Sequence, residues 1–333
     1  MKALVIGGTR FVGLRLVRAL AQAGHDITLL NRGKMQADLP PGINRLYADR
    51  RDADAIRNAL KDQSFEVVYD MTGYQVRSVE PVVEALAGRV EHYIFQSTAG
   101  VYADGDTLPV AEDFPTLSAE TTVSGFAAYE VEKVQCEQYL LRQVKEKLFP
   151  ATIFRSPVIY GPENWMHDRE FSFFVRLTRG LPVLVPGNGN TFLSFAHADD
   201  VARAHLAVAG VIRTVGQIYN ITSADAITIN GYVDHIASLV GAEPRKVYLD
   251  WGAMRGLEKG FFPFRADKSS YYSGQKASDH FRFSPQFDIK SGLEDTYRWW
   301  AGSLGVEKTV FNPGKLGNDV DMEYESELAR RHG

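Results

Sequence analysis

Cysteine occurs once in 333 residues, at Cys136, so no internal disulfide can form. A lone thiol inside a helical pattern is expected to act as a small buried apolar group, not as a nucleophile. Long apolar runs are missing too: the longest are strand-length, far short of the ~20 residues that span a bilayer. Neither sign of charge dominates, since 37 basic and 41 acidic side chains are interspersed for a formal net charge of −4. That leaves no basic stripe for nucleic acid or an anionic membrane, and it argues against both as partners. The opening MKALVIGG is already strand-like, with no basic leader ahead of it, which points to a cytoplasmic protein. Internal repeats and low-complexity tracts are absent as well.

What the chain does have is 45% hydrophobic residues, enough for a large core. Apolar, β-rich runs at 3–6, 26–30, 44–47, 66–70, 92–96 and 151–154 alternate with helical patterns at 12–23, 53–61, 81–86 and 128–147. Alternation of this kind predicts an α/β fold built on a doubly wound parallel sheet. From Tyr160 the texture changes to turn formers and glycine-broken extended segments, before a return to the sheet through 194–210 and a last strand at 217–220. The expected division is a larger domain of residues 1–158 plus about 193–224, and a smaller, discontinuous domain of 159–192 plus about 225–302. Residues 303–333, polar and poorly periodic, read as a mobile or partner-docked tail.

The first strand runs straight into Gly7-Gly8-Thr9-Arg10-Phe11-Val12-Gly13 and then a helix. Glycine lets the backbone turn and approach a pyrophosphate, whose charge is favoured at a helix N-terminus, so this order predicts a dinucleotide site. Arg10 stands where a middle glycine is usual and adds a cation there. The second strand ends at Asn31-Arg32, with no carboxylate to meet the ribose hydroxyls. A guanidinium at that place, joined by Arg10, pairs a 2′-phosphate, which favours NADP over NAD; stacking of Arg32 on adenine is the alternative. Asp49 and Arg50 are placed to contact adenine, and Met71-Thr72-Gly73 to pass the ribose linked to nicotinamide.

Tyr129 and Lys133 lie four apart in a stretch without Gly or Pro, so a helix puts phenol and ammonium on one face. Bringing a phenol from its ordinary value near 10 to neutrality takes roughly 4 kcal/mol of differential electrostatics. A fixed lysine beside an oxidised nicotinamide supplies it, making Tyr129 the proton carrier for hydride chemistry at a hydroxyl-bearing carbon. The spacing recurs at Tyr272 and Lys276, where Ser and Gly interrupt any helix, and that copy reads as chance.

Together GGTRFVG, DRRD at 49–52, STAGVY at 97–102, YEVEK, RSPVIYGP at 155–162 and HADDVARAH at 197–205 resemble the extended short-chain dehydrogenase/reductase superfamily, the NAD-dependent epimerases, dehydratases and reductases. Within it GGTRF, NRGK, EVVYD, AGVY, FPFR and SPQFDIKSGLEDTY are most similar to the chloroplast stem-loop-binding group. The resemblance implies a Rossmann-type fold with a C-terminal substrate domain, a homodimer, and a sugar or sugar-nucleotide substrate. It implies Thr98 as the residue holding the reacting hydroxyl, with Ser97 as fallback, Tyr129 as acid/base and Lys133 as ribose anchor. Pro157 and Val158 are implied at the nicotinamide face, and Tyr160, Phe192 and Arg265 at the substrate.

Two departures narrow the reading. Ala99 and Gly100 follow Thr98 where 4,6-dehydratases carry acids, so dehydration by that route is disfavoured. Leu193 stands where a diphosphate-clamping arginine is usual, which puts the nucleotide sugar in question. An epimerase or ketoreductase is the favoured activity, and an RNA-binding protein with a residual dinucleotide site the alternative. Of the other candidates, His197, Asp199, Asp200 and His205 read as a turn and helix cap, with no metal site. The 166–170 run reads as an exposed lid rim, and Trp165, Phe171, Phe173, Phe174 and Phe192 as packing or pocket aromatics.

Overall fold

The computed structural model describes residues 1–333 other than 125, 256, 258–261, 265–266 and 312–319. Seven strands form one parallel sheet: β1 (Lys2–Ile6), β2 (Asp26–Asn31), β3 (Asn44–Tyr47), β4 (Phe65–Asp70), β5 (Val90–Thr98), β6 (Ala151–Ser156) and β11 (Ile218–Asn220). Every one coincides with a strand expected from the sequence; the inner strands are apolar runs buried on both faces, as a parallel sheet requires, whereas β3 at the edge has no buried residue. The order is β11-β6-β5-β4-β1-β2-β3. The chain leaves β1 toward β2 and β3, then crosses back to β4 on the other side, so the switch point lies between the C-terminal ends of β1 and β4. Gly7 and Met71 sit at that crevice, the N–H of Gly7 bonded to the Leu30 carbonyl and that of Met71 to the Ile6 carbonyl.

Helices α1 (Phe11–Gln22), α2 (Ala53–Leu60), α3 (Val76–Leu86), α4 (Phe126–Lys147), α6 (Ala198–Val208) and α9 (Gln275–Phe281) accompany this sheet. Asp52 caps α2 by accepting the N–H groups of Asp54 and Ala55. α4 ends on Lys145 and Lys147, cations at the negative pole of its dipole. α3 starts five residues before the expected Pro81, which sits inside it.

The chain divides into two compact units, the first comprising Met1–Pro157, Ala198–Thr222 and Ser273–Gln286, and the second Val158–His197, Ser223–Tyr272 and Phe287–Gly333. Three boundaries differ from the sequence-based division. Residues 193–197 belong to the second unit, because β10 (Phe195–His197) pairs with β7 (Val158–Tyr160) and β9 (Phe192–Leu193) with β12 (Ile227–Thr228). The 273–286 segment returns to the first unit, where Phe281 of α9 stacks on Phe154 of β6 and meets Tyr219 of β11 edge-on.

The 303–333 stretch is the third difference. The second unit also holds β8 (Val183–Pro186) paired with β13 (Lys246–Leu249), and helices α5 (Glu170–Thr178), α7 (Ile229–Val240), α8 (Trp251–Arg255), α10 (Ile289–Ser303), α11 (Gly305–Lys308) and α12 (Met322–His332). α12 is docked: Leu328 and Ala329 are buried, and Glu325 takes two hydrogen bonds of 2.6 Å from Arg176 of α5 with both side chains hidden. Replacing Glu325 with alanine strands a buried guanidinium, so urea unfolding should show a loss of about 3–5 kcal/mol. An unchanged midpoint would mean that α12 does not hold this position in solution.

Candidate functional site

The site expected from the sequence begins at the glycine turn. Gly7 has φ +94, open to glycine alone without strain. A Cβ on Gly8 would lie 2.6 Å from Val17 and 2.7 Å from Leu29, and one on Gly13 would strike the Gly7 carbonyl. The close packing of β1, β2 and α1 therefore depends on these positions lacking side chains. Arg10 caps α1 without a side-chain hydrogen bond to the helix, and its Nη2 lies 2.8 Å from the Met35 sulfur. Phe11 (φ 44) and Val12 are buried while Thr9 is half-buried and Arg10 exposed.

At the end of β2 the Asn31 side-chain Oδ1 takes the Gly33 N–H at 2.8 Å, while its buried Nδ2 has no hydrogen-bond partner. An orphan donor there, a glycine cradle that any Cβ would fill, and a helix N-terminus together fit a dinucleotide. Arg32 is exposed next to them. Asp49 accepts a bidentate pair of bonds from Arg51, which holds its carboxyl at about 2, with Arg32 contributing a smaller attraction.

Arg50 departs from the adenine contact expected of it. Its guanidinium meets the buried Asp70 at the end of β4 through bonds of 2.6 and 2.8 Å, and also reaches Thr72 Oγ1 and the Ser78 carbonyl. Asp70 further accepts the Tyr93 hydroxyl at 2.6 Å and the Thr72 N–H. Burial alone would raise the Asp70 carboxyl, but the Arg50 charge and these hydrogen bonds hold it below the ordinary value. This network, which sequence reasoning missed, fixes the Met71-Thr72-Gly73 turn from beneath. A carboxylate closing the apolar run Phe-Glu-Val-Val-Tyr-Asp was its one visible signal.

Lys133, 2% exposed, anchors the same turn from above, its Nζ donating to the Gly73 carbonyl at 2.8 Å and the Gln96 carbonyl at 2.6 Å. The ammonium lies 4.6 Å from the Phe95 ring centre, 5.2 Å from that of Tyr74 and 5.9 Å from that of Tyr129. Burial pulls it down to about 8, opposed by attraction to the Asp70 carboxylate. Tyr129 and Lys133 thus share a face of α4 as the spacing requires.

Thr98 and Ser97 end β5 on opposite faces. Thr98 Oγ1 accepts the Gly100 N–H at 3.1 Å, which leaves its own proton to donate outward. Ser97 instead donates to the buried Glu137 at 2.5 Å, and Glu137 takes Arg155 through Nε and Nη2. Strand alternation therefore commits Ser97 to the interior and removes it as a fallback. Cys136, also on α4, is fully buried and pushed up to about 12 by desolvation, in keeping with an inert thiol. In the second copy of the spacing, Lys276 lies in α9 and Tyr272 outside it.

Pro157 is half-buried at the end of the first unit. In the second unit Val158 opens β7, and Tyr160 is 2% exposed, its hydroxyl turned to the Ile289 carbonyl; it belongs to the core and not to a binding surface. Phe192 is half-buried in β9, Leu193 is buried beside it, and Arg265 lies outside the described residues. Phe171, Phe173 and Phe174 are core, whereas Trp165 is exposed. The 166–170 run is no exposed rim: Glu170 is fully buried, accepts Asn164 Nδ2 at 2.9 Å, and is raised to about 7 by desolvation. Asp199 and Asp200 lie in the first turn of α6, where Asp199 pairs with Arg15 of α1 and Asp200 takes Arg203 and the Gln286 N–H.

A seven-stranded parallel sheet with a glycine turn at its switch point defines a Rossmann-type protein. Comparison with known proteins makes this specific. The NAD dependent epimerase/dehydratase family matches residues 3–222. Over 310 residues the chain is 34% identical to the chloroplast stem-loop binding protein of 41 kDa b of Arabidopsis thaliana, covering 89% of this chain and 78% of that protein. Two solved structures share the fold with a TM-score of 0.75 each: UDP-glucose 4-epimerase of Thermotoga maritima with UDP-glucose, at 20% identity over 91% of this chain and 99% of the other, and dTDP-glucose 4,6-dehydratase of Bacillus anthracis with NAD, at 18% over 91% and 97%. The chain belongs to the NAD dependent epimerase/dehydratase family. Among the described residues, no helix is long and apolar enough to cross a membrane.

Proposed function

We propose that the protein is an NAD(P)-dependent epimerase or ketoreductase acting at a hydroxyl-bearing carbon of a sugar or sugar nucleotide. One observation carries this reading: a fully buried ammonium, Lys133, is held next to Tyr129 on one helix face and bonded to the Gly73 carbonyl at the sheet's switch point. Gly7, Gly8, Gly13, Asn31 and Arg32 would hold the dinucleotide, and Asp49 and Thr72 would flank it. Bound nicotinamide supplies hydride acceptance and return.

Tyr129 takes the proton of the substrate hydroxyl and gives it back on reversal. Lys133, held at about 8, is mostly charged at neutral pH, and its charge favours the ionised phenol. Two of its N–H groups are spent on carbonyls, leaving a third for a ribose hydroxyl. Thr98 donates its remaining proton to the reacting oxygen. Ala99 and Gly100 offer no acid for removal of a carbon-bound proton, which favours hydride and hydroxyl-proton transfer over dehydration.

The exposed Arg32, with Arg10 at the glycine turn, supports NADP over NAD. Calorimetry is expected to show NADP binding at least tenfold more tightly, with Arg32→Ala erasing the difference; tighter binding of NAD by the unaltered protein would refute the arginine argument. Incubation of the loaded protein with UDP-glucose, UDP-galactose and dTDP-glucose tests the reaction: epimerised product with retained cofactor marks an epimerase, and net change in reduced nicotinamide a reductase. The Arabidopsis relative's name supplies a second reading, stem-loop RNA binding. A net charge of −4 counts against it. A gel shift with structured RNA at physiological salt, unaffected by Tyr129→Phe, would favour it.

A further inference from the structure

Beside the Tyr129–Lys133 pair stands a residue with no part in the scheme above. Tyr74 follows the Met71-Thr72-Gly73 turn, and its ring centre lies 6.0 Å from that of Tyr129 and 5.2 Å from Lys133 Nζ. It is nonetheless 49% exposed. The backbone on either side is pinned: the Gly73 carbonyl accepts from Lys133, and the Gln75 carbonyl accepts the Ser78 and Val79 N–H groups at 2.9 and 3.2 Å. An aromatic ring fixed in this way, and left uncovered, is a preorganised platform.

We infer that Tyr74 is a specificity-determining wall of the reacting site, receiving the apolar face of the sugar ring whose hydroxyl reaches Tyr129. Two ring centres 6.0 Å apart leave the substrate of one within contact of the other. The contact runs through the ring and not through a second proton carrier. A tyrosine phenol is neutral near pH ~7, so Tyr74 offers its ring while Tyr129 handles the proton. The inference rests on the sugar-substrate reading given above.

Calorimetry on protein loaded with NADP, titrated with UDP-glucose, UDP-galactose and UDP alone, tests it. Tyr74→Ala is expected to weaken both sugar nucleotides about tenfold, Tyr74→Phe to stay within about twofold of the unaltered protein, and affinity for UDP and for NADP to be unchanged. Equal weakening of UDP and UDP-glucose would place the ring against the nucleoside and overturn the inference. So would unaltered sugar-nucleotide affinity in Tyr74→Ala, and in that case the sugar-substrate reading stands. If the unaltered protein binds NADP but neither sugar nucleotide, the inference falls with the sugar-nucleotide reading while the dinucleotide site survives.

Discussion

Tyr129→Phe is expected to lower turnover roughly 100- to 10,000-fold while leaving dinucleotide affinity within about twofold. The phenyl ring keeps the contacts of the original, 6.0 Å from Tyr74 and 5.9 Å from the Lys133 ammonium between centres, so only the hydroxyl is lost. Ser97 does not replace it, because its hydroxyl is turned inward to Glu137. Following reduced nicotinamide in a single turnover separates chemistry from product release. Activity of the variant within threefold of the original would remove Tyr129 from the proton path. Above pH ~8 the unaltered enzyme should also lose rate as Lys133 gives up its proton, because the favourable charge beside the phenol disappears.

Acidification is the second large effect, and it acts on the fold. His92 and His205 are both buried in the first unit and pulled down to about 4 by desolvation. For His92 the geometry agrees: Nδ1 accepts the Gly210 N–H at 3.1 Å, so Nε2 carries the proton and donates to Thr152. A second proton would set two donors face to face. His205 donates from Nδ1 to the Val201 carbonyl, with its other nitrogen buried and unpartnered.

The folded values lie below the unfolded 6.5. Above that pH both states are neutral and nothing is lost; as pH falls from 6.5 to 4 the unfolded chain binds protons that the native one refuses. Each histidine then costs roughly 3 kcal/mol, on the order of 6 together, a large part of a typical domain's stability. Urea midpoints measured at pH 7 and pH 4.5 should fall steeply, and His92→Gln with His205→Phe should flatten the acid limb. An acid limb identical in the double variant would show that carboxylates alone produce it.

Local pattern made much of this readable in advance. Gly7, Gly8 and Gly13 announce a tight turn because no other residue packs there, and the strand runs announce the parallel sheet because both faces must be apolar. Tyr129 and Lys133 are legible because a helix converts a spacing of four into a shared face. Arg50 and Ser97 were misplaced for the opposite reason. Each is adjacent to a residue expected at the site, and adjacency in sequence does not say which way a side chain turns. The partners that decided it, Asp70 and Glu137, are 20 and 40 residues away.

The same distance effect hid the docking of α12, whose polar composition conceals one buried pair, Arg176 and Glu325, 149 residues apart. It also hid the return of α9 to the first unit through Phe281. By itself, then, the sequence determined the sheet, the glycine turn and the one-faced Tyr–Lys pair, all consequences of short-range patterning, and its motifs carried the resemblance to the family. Only the tertiary structure decided that Arg50 serves Asp70, that Ser97 serves Glu137, and that Tyr74 stands uncovered beside Tyr129. Those are outcomes of burial and charge pairing between distant segments, where desolvation makes one partner compulsory and nothing local names it.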